Sequence, residues 1–340
     1  MSSSASVSSG LVHAFCACVS GVCVESAVET SRRIASGTLP HAGKRVHPLH
    51  VGLRGDYENK RGNLRTFPAP LTASDRRKGF ADVSPQLGLA YHFTPAQMIY
   101  ANVGRGYKAG GFNPNPPAGS ESYGRESSWS YEAGIKTSWW DDRLSLNLAA
   151  FYINWKNLQL NQPNGLNYYI ANAGAADSKG VELQLNARLL AGWDLFGGFG
   201  YVDARILNGA TAMHTDAFGV NTAVNVGGRH LIYAPDFTAN AGTQYSWRVG
   251  RQATLYARAE VDAYGHYFYN PINTGSQSAY TLANFRAGVR GKHWFAEGWV
   301  KNAFNTHYVP IALEYPDCIS GFVGESGAPV TFGLRAGLSF

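Results

Sequence analysis

SPQLGLAYHFTPAQMIYANVGRGYKAGGFN, residues 84 to 113, reads as two strands joined by a tight turn. Leu87, Leu89, Tyr91 and Phe93 fall on alternate positions while Gly88, Ala90 and His92 point the other way, the period-two signature of a strand with two unlike faces. Thr94 to Gln97 breaks the alternation. A second strand then sets Ile99, Ala101 and Val103 against Asn102, Gly104, Gly106 and Lys108, until Gly110, Gly111 and a proline-rich run end it.

The template recurs in both directions. Upstream, Leu49, Val51, Leu53 and Gly55 form a strand that leads into a polar loop expected over Glu58 to Asp82. Downstream, Tyr131 to Trp139, Leu144 to Ala150, Val181 to Leu189, Trp193 to Tyr201, Phe237 to Trp247, Ala253 to Val261, Ala283 to Val289, Trp294 to Val300 and Phe332 to Phe340 alternate in the same way. The pattern predicts about twelve strands of roughly 9–11 residues, the length a tilted strand needs to cross hydrocarbon. Connections alternate between short and long. An antiparallel order then gathers the short turns at one end and the long loops at the other, as in outer-membrane barrels with periplasmic turns and extracellular loops.

Alternation alone also fits a soluble sandwich, in which the apolar face is core. Three features favour lipid. The strands are long, their polar faces carry Gly and Ser as much as charge, and Trp139, Trp140, Trp193, Trp247 and Trp294 all fall beside short turns, where an aromatic girdle meets the interface.

Composition points the same way. The 340 residues include 39 Gly, 19 Tyr, 17 Phe and 8 Trp beside only 15% charged residues, yet mean hydropathy is −0.20. No window approaches the ~18 consecutive apolar residues of a membrane helix, whereas a membrane barrel conceals its apolar face from an average because alternate residues face the lumen. The net charge of +6 would suit an anionic partner. The basic residues are scattered without aromatic interleaving, which argues against nucleic acid.

No chemistry-bearing motif emerges. Cys16, Cys18 and Cys23 lack the paired spacing and His partners of a zinc site, and Cys318 stands alone. Gly104 and Gly106 lie mid-strand without the third glycine and following helix of a dinucleotide loop. No Ser-His-acid arrangement with a nucleophile elbow occurs, and His266, His293 and His307 fall in different connections. The expectation is a protein that is not an enzyme, with no cofactor or metal of its own. Residues 1–46 differ from the rest: Leu11 to Val24 has the length of a signal-peptide core, but no Lys or Arg precedes it and no small-x-small site follows. That segment is expected to be a disordered or misassigned start.

Four stretches carry a family resemblance: YHFTPAQMIYANVGRGYKAGGFN from Tyr91, NAGAADSKGVELQLNARL from Asn172, WVKNAFNTHYV from Trp299, and the ending GAPVTFGLRAGLSF from Gly327. In this order they resemble the carboxy-terminal part of TonB-dependent outer-membrane receptors, over residues 47–340. The resemblance implies an all-β, antiparallel transmembrane barrel of the outer-membrane type, partial here: about twelve of the family's ~22 strands around a plug. It implies residence in the outer membrane of a Gram-negative cell, in contact with outer-membrane lipid, and energised uptake of a ferric siderophore or similar small ligand. In intact relatives TonB is the partner, and the terminal aromatic Phe340 is similar to the signal read by the barrel-assembly machinery. Plug and TonB-pairing segments are not recognised in residues 1–46, so the expectation is a truncated receptor, its activity left open. The alternatives are a passive porin-like channel from a smaller closed barrel, or a non-functional fragment of a disrupted receptor gene.

On the face opposite the apolar one, Arg188, Arg258, Arg286, Arg290 and Arg335, with Glu182 and Glu260, point into the expected lumen. They are candidates for guiding an anionic ferric chelate, or else solvated wall charges.

Overall fold

The computed structural model describes residues 5–9, 13–19, 22–38, 49–66, 73–114, 116–165, 167–216, 218–315, 317, 318 and 320–338, with side chains from 49 onward apart from 63–75. Phe340 lies outside the described residues.

Among the described residues fifteen strands form one antiparallel sheet. They are β1 (Ala5–Ser9), β2 (His13–Val19), β3 (Val22–Thr38), β4 (Leu49–Thr66), β5 (Ala73–Thr94), β6 (Gln97–Lys108), β7 (Glu126–Trp139), β8 (Leu144–Lys156), β9 (Ala176–Leu190), β10 (Trp193–Ile206), β11 (Phe237–Val249), β12 (Ala253–Tyr264), β13 (Tyr280–Arg290), β14 (Trp294–Lys301) and β15 (Thr331–Leu338). From β3 to β15 each strand is hydrogen-bonded to the next in sequence, while β1 and β2 both pair with β3. The strands β4 to β15 are the twelve that the alternation predicts. Where an irregular start is expected, the backbone of β3 runs antiparallel along β4, from Val24 opposite Thr66 to Thr38 opposite Gly52.

The short turns fall at 95–96, 140–143, 191–192, 250–252 and 291–293, all at one end. At the 140–143 turn Trp140, Asp141 and Asp142 take positive φ of 55°, 55° and 62°, a left-handed run that Asp tolerates better than most residues. The loops at the other end are not irregular: small two-stranded hairpins form within them, at 159–172, 211–225 and 311–325.

The expected polar loop over Glu58 to Asp82 requires correction. β4 and β5 extend as a long two-stranded arm through most of it, paired from Leu49–Leu89 to Arg65–Ala73. Ladder hydrogen bonds belong to the backbone and tolerate charged side chains, and here charges neutralise one another: Asp56 meets Arg54 at 2.7 Å and Asp82 meets Arg105 at 2.6 Å.

The two faces of the sheet settle the choice between sandwich and membrane wall. Its apolar face is bare: Leu49, Phe93, Leu185 and Phe199 are exposed, and Phe332 and Leu334 reach 81% and 90%. Among the described residues no second layer covers it. The buried apolar cluster lies instead at the long-loop end, where Leu158, Leu160, Ala176, Ile206, Ala212, Val226 and Ile272 pack the loop hairpins onto the strand ends. A soluble sandwich buries its apolar sheet face; this sheet leaves that face to be covered by lipid.

Candidate functional site

The inner face is built from a repeated unit. Six inward aromatic side chains lie directly opposite a glycine on the neighbouring strand: Tyr100 over Gly134, Phe151 over Gly180, Phe196 over Gly242, Tyr256 over Gly288, Phe295 over Gly337 and Trp299 over Gly333. In each case a Cβ on the glycine would collide with the ring. The ring thereby covers backbone that glycine leaves bare, the aromatic rescue of strand glycines. Cations then cap the rings: Lys136 stands 5.3 Å from the Tyr100 centroid, Arg258 4.1 Å from Phe196, Arg290 5.8 Å from Tyr256 and Arg335 5.5 Å from Phe295.

Five of the seven expected lumen residues join one patch on β12 to β15, while Glu182 lies on β9. Arg258 Nη2 and Arg286 Nη2 each donate to the Glu260 carboxylate, at 2.6 and 2.7 Å. Beside them the nearly buried Glu297 accepts from Tyr256 Oη at 2.6 Å and pairs with Arg335 at 2.9 Å. Arg290 enters through the same Tyr256 ring. Glu260, Asp262, Arg286, Glu297 and Arg335 help to line a cavity of about 510 Å³ that opens on this face. Arg188 stands apart at the short-turn end, exposed and 3.4 Å from Asp194. Arg258 and Arg286 are thus paired with Glu260, Arg335 with Glu297 and Arg188 with Asp194, while Arg290 rests on the Tyr256 ring, which holds these side chains in place.

Sequence reading overlooks Tyr256 and Glu297, the hub of the patch, because a lone inward Glu carries no motif. The available signal was an inward aromatic facing an inward glycine once strand register is set. A second overlooked feature sits in the loops. Three carbonyls of the β14–β15 loop accept tyrosine hydroxyls from other loops: Tyr269 Oη reaches Val309 O at 2.8 Å, Tyr233 Oη reaches Ala312 O at 2.6 Å and Tyr168 Oη reaches Glu314 O at 2.6 Å. The Glu314 carboxylate accepts from Asn270 Nδ2 at 2.6 Å and meets His214 Nδ1 at 3.2 Å. Burial pushes the phenol of Tyr168 up to about 12 and raises those of Tyr233 and Tyr269. No group of His, Cys, Asp and Glu among the described residues is placed to hold a metal ion.

A single antiparallel sheet with a bare apolar face, an ion-paired inner face, short turns at one end and structured loops at the other defines the wall of an outer-membrane-type β-barrel. Residues 48–303 match the family model described as TonB dependent receptor-like, beta-barrel, and the chain belongs to that family, whose members are transport receptors rather than enzymes. It is 25% identical over 237 residues to the metal-pseudopaline receptor CntO of Pseudomonas aeruginosa, a match spanning 66% of this chain and 31% of that protein. It is 26% identical over 227 residues to the pesticin receptor of Yersinia pestis, again 66% and 31%. In three dimensions it is similar to the ferric yersiniabactin uptake receptor FyuA from Yersinia pestis, with TM-score 0.77 and 21% identity over 94% of this chain and 47% of that one. The siderophore receptor PiuA from Acinetobacter baumannii gives TM-score 0.72 and 19% identity over 92% and 43%. The chain thus spans about a third of the length of these sequence relatives.

Proposed function

We propose that this chain forms the carboxy-terminal wall of a TonB-dependent receptor in the outer membrane, serving uptake of a ferric siderophore or a similar metal chelate. The observation that carries the reading is the division of faces: paired charge and aromatic rings inside, bare aliphatic side chains outside. Relatives named as receptors for metal-pseudopaline and ferric yersiniabactin support the ligand class. The inner patch around Glu260 and Glu297 is the surface offered to an anionic chelate. Residues 47–340 are proposed as the barrel part and 1–46 as a separate amino-end segment. Assembly is proposed to use the terminal strand with Phe340.

Backbone groups on a sheet edge cost several kcal/mol each when unsatisfied in hydrocarbon. Among the described residues no strand pairs with the outer edge of β15, so the wall works in lipid when further strands complete it. We therefore read the chain as one part of a larger barrel wall. Outer-membrane fractionation with gel migration before and after heating tests this. Recovery in the membrane with a heat-dependent shift is expected; recovery as a soluble species overturns it. In planar bilayers a TonB-independent steady conductance would favour a porin-like channel instead.

A further inference from the structure

The outer face is not uniformly covered by large side chains. On β8 and β9 Leu146, Leu148, Leu183 and Leu185 stand out from it, but across β11 to β15 it dips into a groove. Ala257, Ala287 and Gly298 help to form two adjoining apolar cavities of about 820 and 810 Å³, bounded by Trp193, Trp247 and Leu334. The Trp193 indole N–H is already donated to Thr243 Oγ1 at 2.8 Å, and the inward-pointing Arg258, Arg286, Glu297 and Arg335 also contribute to the lining from within the sheet. Along β12 the groove runs from Leu255 to Ala259, about 13 Å at ~3.3 Å per residue. That is close to one leaflet, half of the ~30 Å hydrocarbon thickness.

The charge at the groove's mouth is one-sided. The two short turns that flank it, 250–252 and 291–293, carry exposed Arg251 and Lys292 and no acidic residue. Neither side chain is ion-paired among the described residues. The other short turns differ: 140–143 holds Asp141 and Asp142 beside Arg143, while 95–96 and 191–192 hold no charge. Trp247 and Trp294 mark the interface level on the same hairpins, and residues a few positions further out stand at the depth of lipid phosphates, within reach of long basic side chains.

We propose that this groove seats the acyl chains of an anionic phospholipid from the leaflet the short turns face, with its phosphate held between Arg251 and Lys292. The inference rests on the membrane location proposed above. The full chain, recovered from the outer-membrane fraction in mild detergent, is assayed by mass spectrometry for co-purifying phosphatidylglycerol and phosphatidylethanolamine. Phosphatidylglycerol is expected to exceed its share of the membrane about fivefold, the effect of roughly one basic side chain near an anionic surface. Arg251→Gln with Lys292→Gln should return it to that share, Ala257→Phe should lower retention of both lipids, and Arg143→Gln should change neither. Retention at the bulk ratio, or a groove occupied by a second copy of the chain with lipid excluded, overturns the proposal while sparing the membrane reading. Absence of the chain from the membrane fraction overturns both.

Discussion

Gly288 shows how a single residue without a side chain shapes the inner wall. A Cβ there would fall 2.6 Å from Ala296 O and 2.7 Å from Tyr256 Oη, and Tyr256 in turn carries the hydrogen bond to Glu297 and the cap from Arg290. Gly288→Val drives the ring from its seat and disturbs that whole group at once. The expected cost is about 1–3 kcal/mol, the usual range for overpacking, read as a lower midpoint for the heat-dependent gel shift; an unchanged midpoint would refute the pairing as a source of stability. Arg258, Glu260, Arg286, Arg290 and Arg335 were legible as inward residues because parity along a strand needs no partner. Their partners were not, because these depend on which residue of the neighbouring strand lies within reach: Glu260 for Arg286, Glu297 for Arg335 and the Tyr256 ring for Arg290.

The strands and their loops differ in how much of them the sequence discloses. Alternation marked all twelve strands from β4 to β15 but missed the charged arm of β4 and β5, since the ladder there is held by the backbone and by pairs such as Arg54–Asp56. The loop hairpins escaped for a related reason: residues 159–172 are rich in Asn and Gln, and what orders them is contact with other loops. The tyrosine clamp on residues 309–314 gives this a measurable form. Burial favours the neutral phenol, so the Tyr168 pKa lies above the ordinary value of about 10, at about 12. Its contribution is complete below about pH 10 and is lost as pH rises through about 12. Hydrogen-exchange protection in residues 302–330, taken relative to the intrinsic base-catalysed rate at each pH, should fall across that window, and Tyr168→Phe with Tyr233→Phe should lower it already at neutral pH, each removing a bond worth about 1 kcal/mol. Protection that stays constant up to about pH 12 would show that the hydroxyls do not hold the loop.

For the molecule as a whole, the sequence established two unlike faces without saying what each one meets, because an apolar stripe of period two serves a soluble core and a lipid boundary equally well. The bare face of the sheet supplies the missing term, and it makes the two faces separable by one kind of substitution. Leu185 and Asn186 are neighbours on β9 that point to opposite sides, with Leu185 exposed on the apolar face. An arginine at Leu185 must shed its hydration in hydrocarbon, at a cost of about 2–4 kcal/mol near the bilayer midplane, whereas an arginine at Asn186 enters a polar lumen and costs far less. The same contrast should hold at Leu148 against Asn147 and at Phe285 against Asn284, although Asn284 also forfeits its hydrogen bond to Asp262. Folding into lipid vesicles, followed by protection from added protease, should fall for Leu185→Arg, Leu148→Arg and Phe285→Arg and persist for Asn186→Arg and Asn147→Arg. In detergent-free buffer a soluble protein whose apolar face is core would show a different signature, since its outward substitutions would destabilise with no lipid present. Equal effects on the two faces in vesicles would mean that the apolar face does not meet lipid, and the membrane wall would have to be abandoned with it.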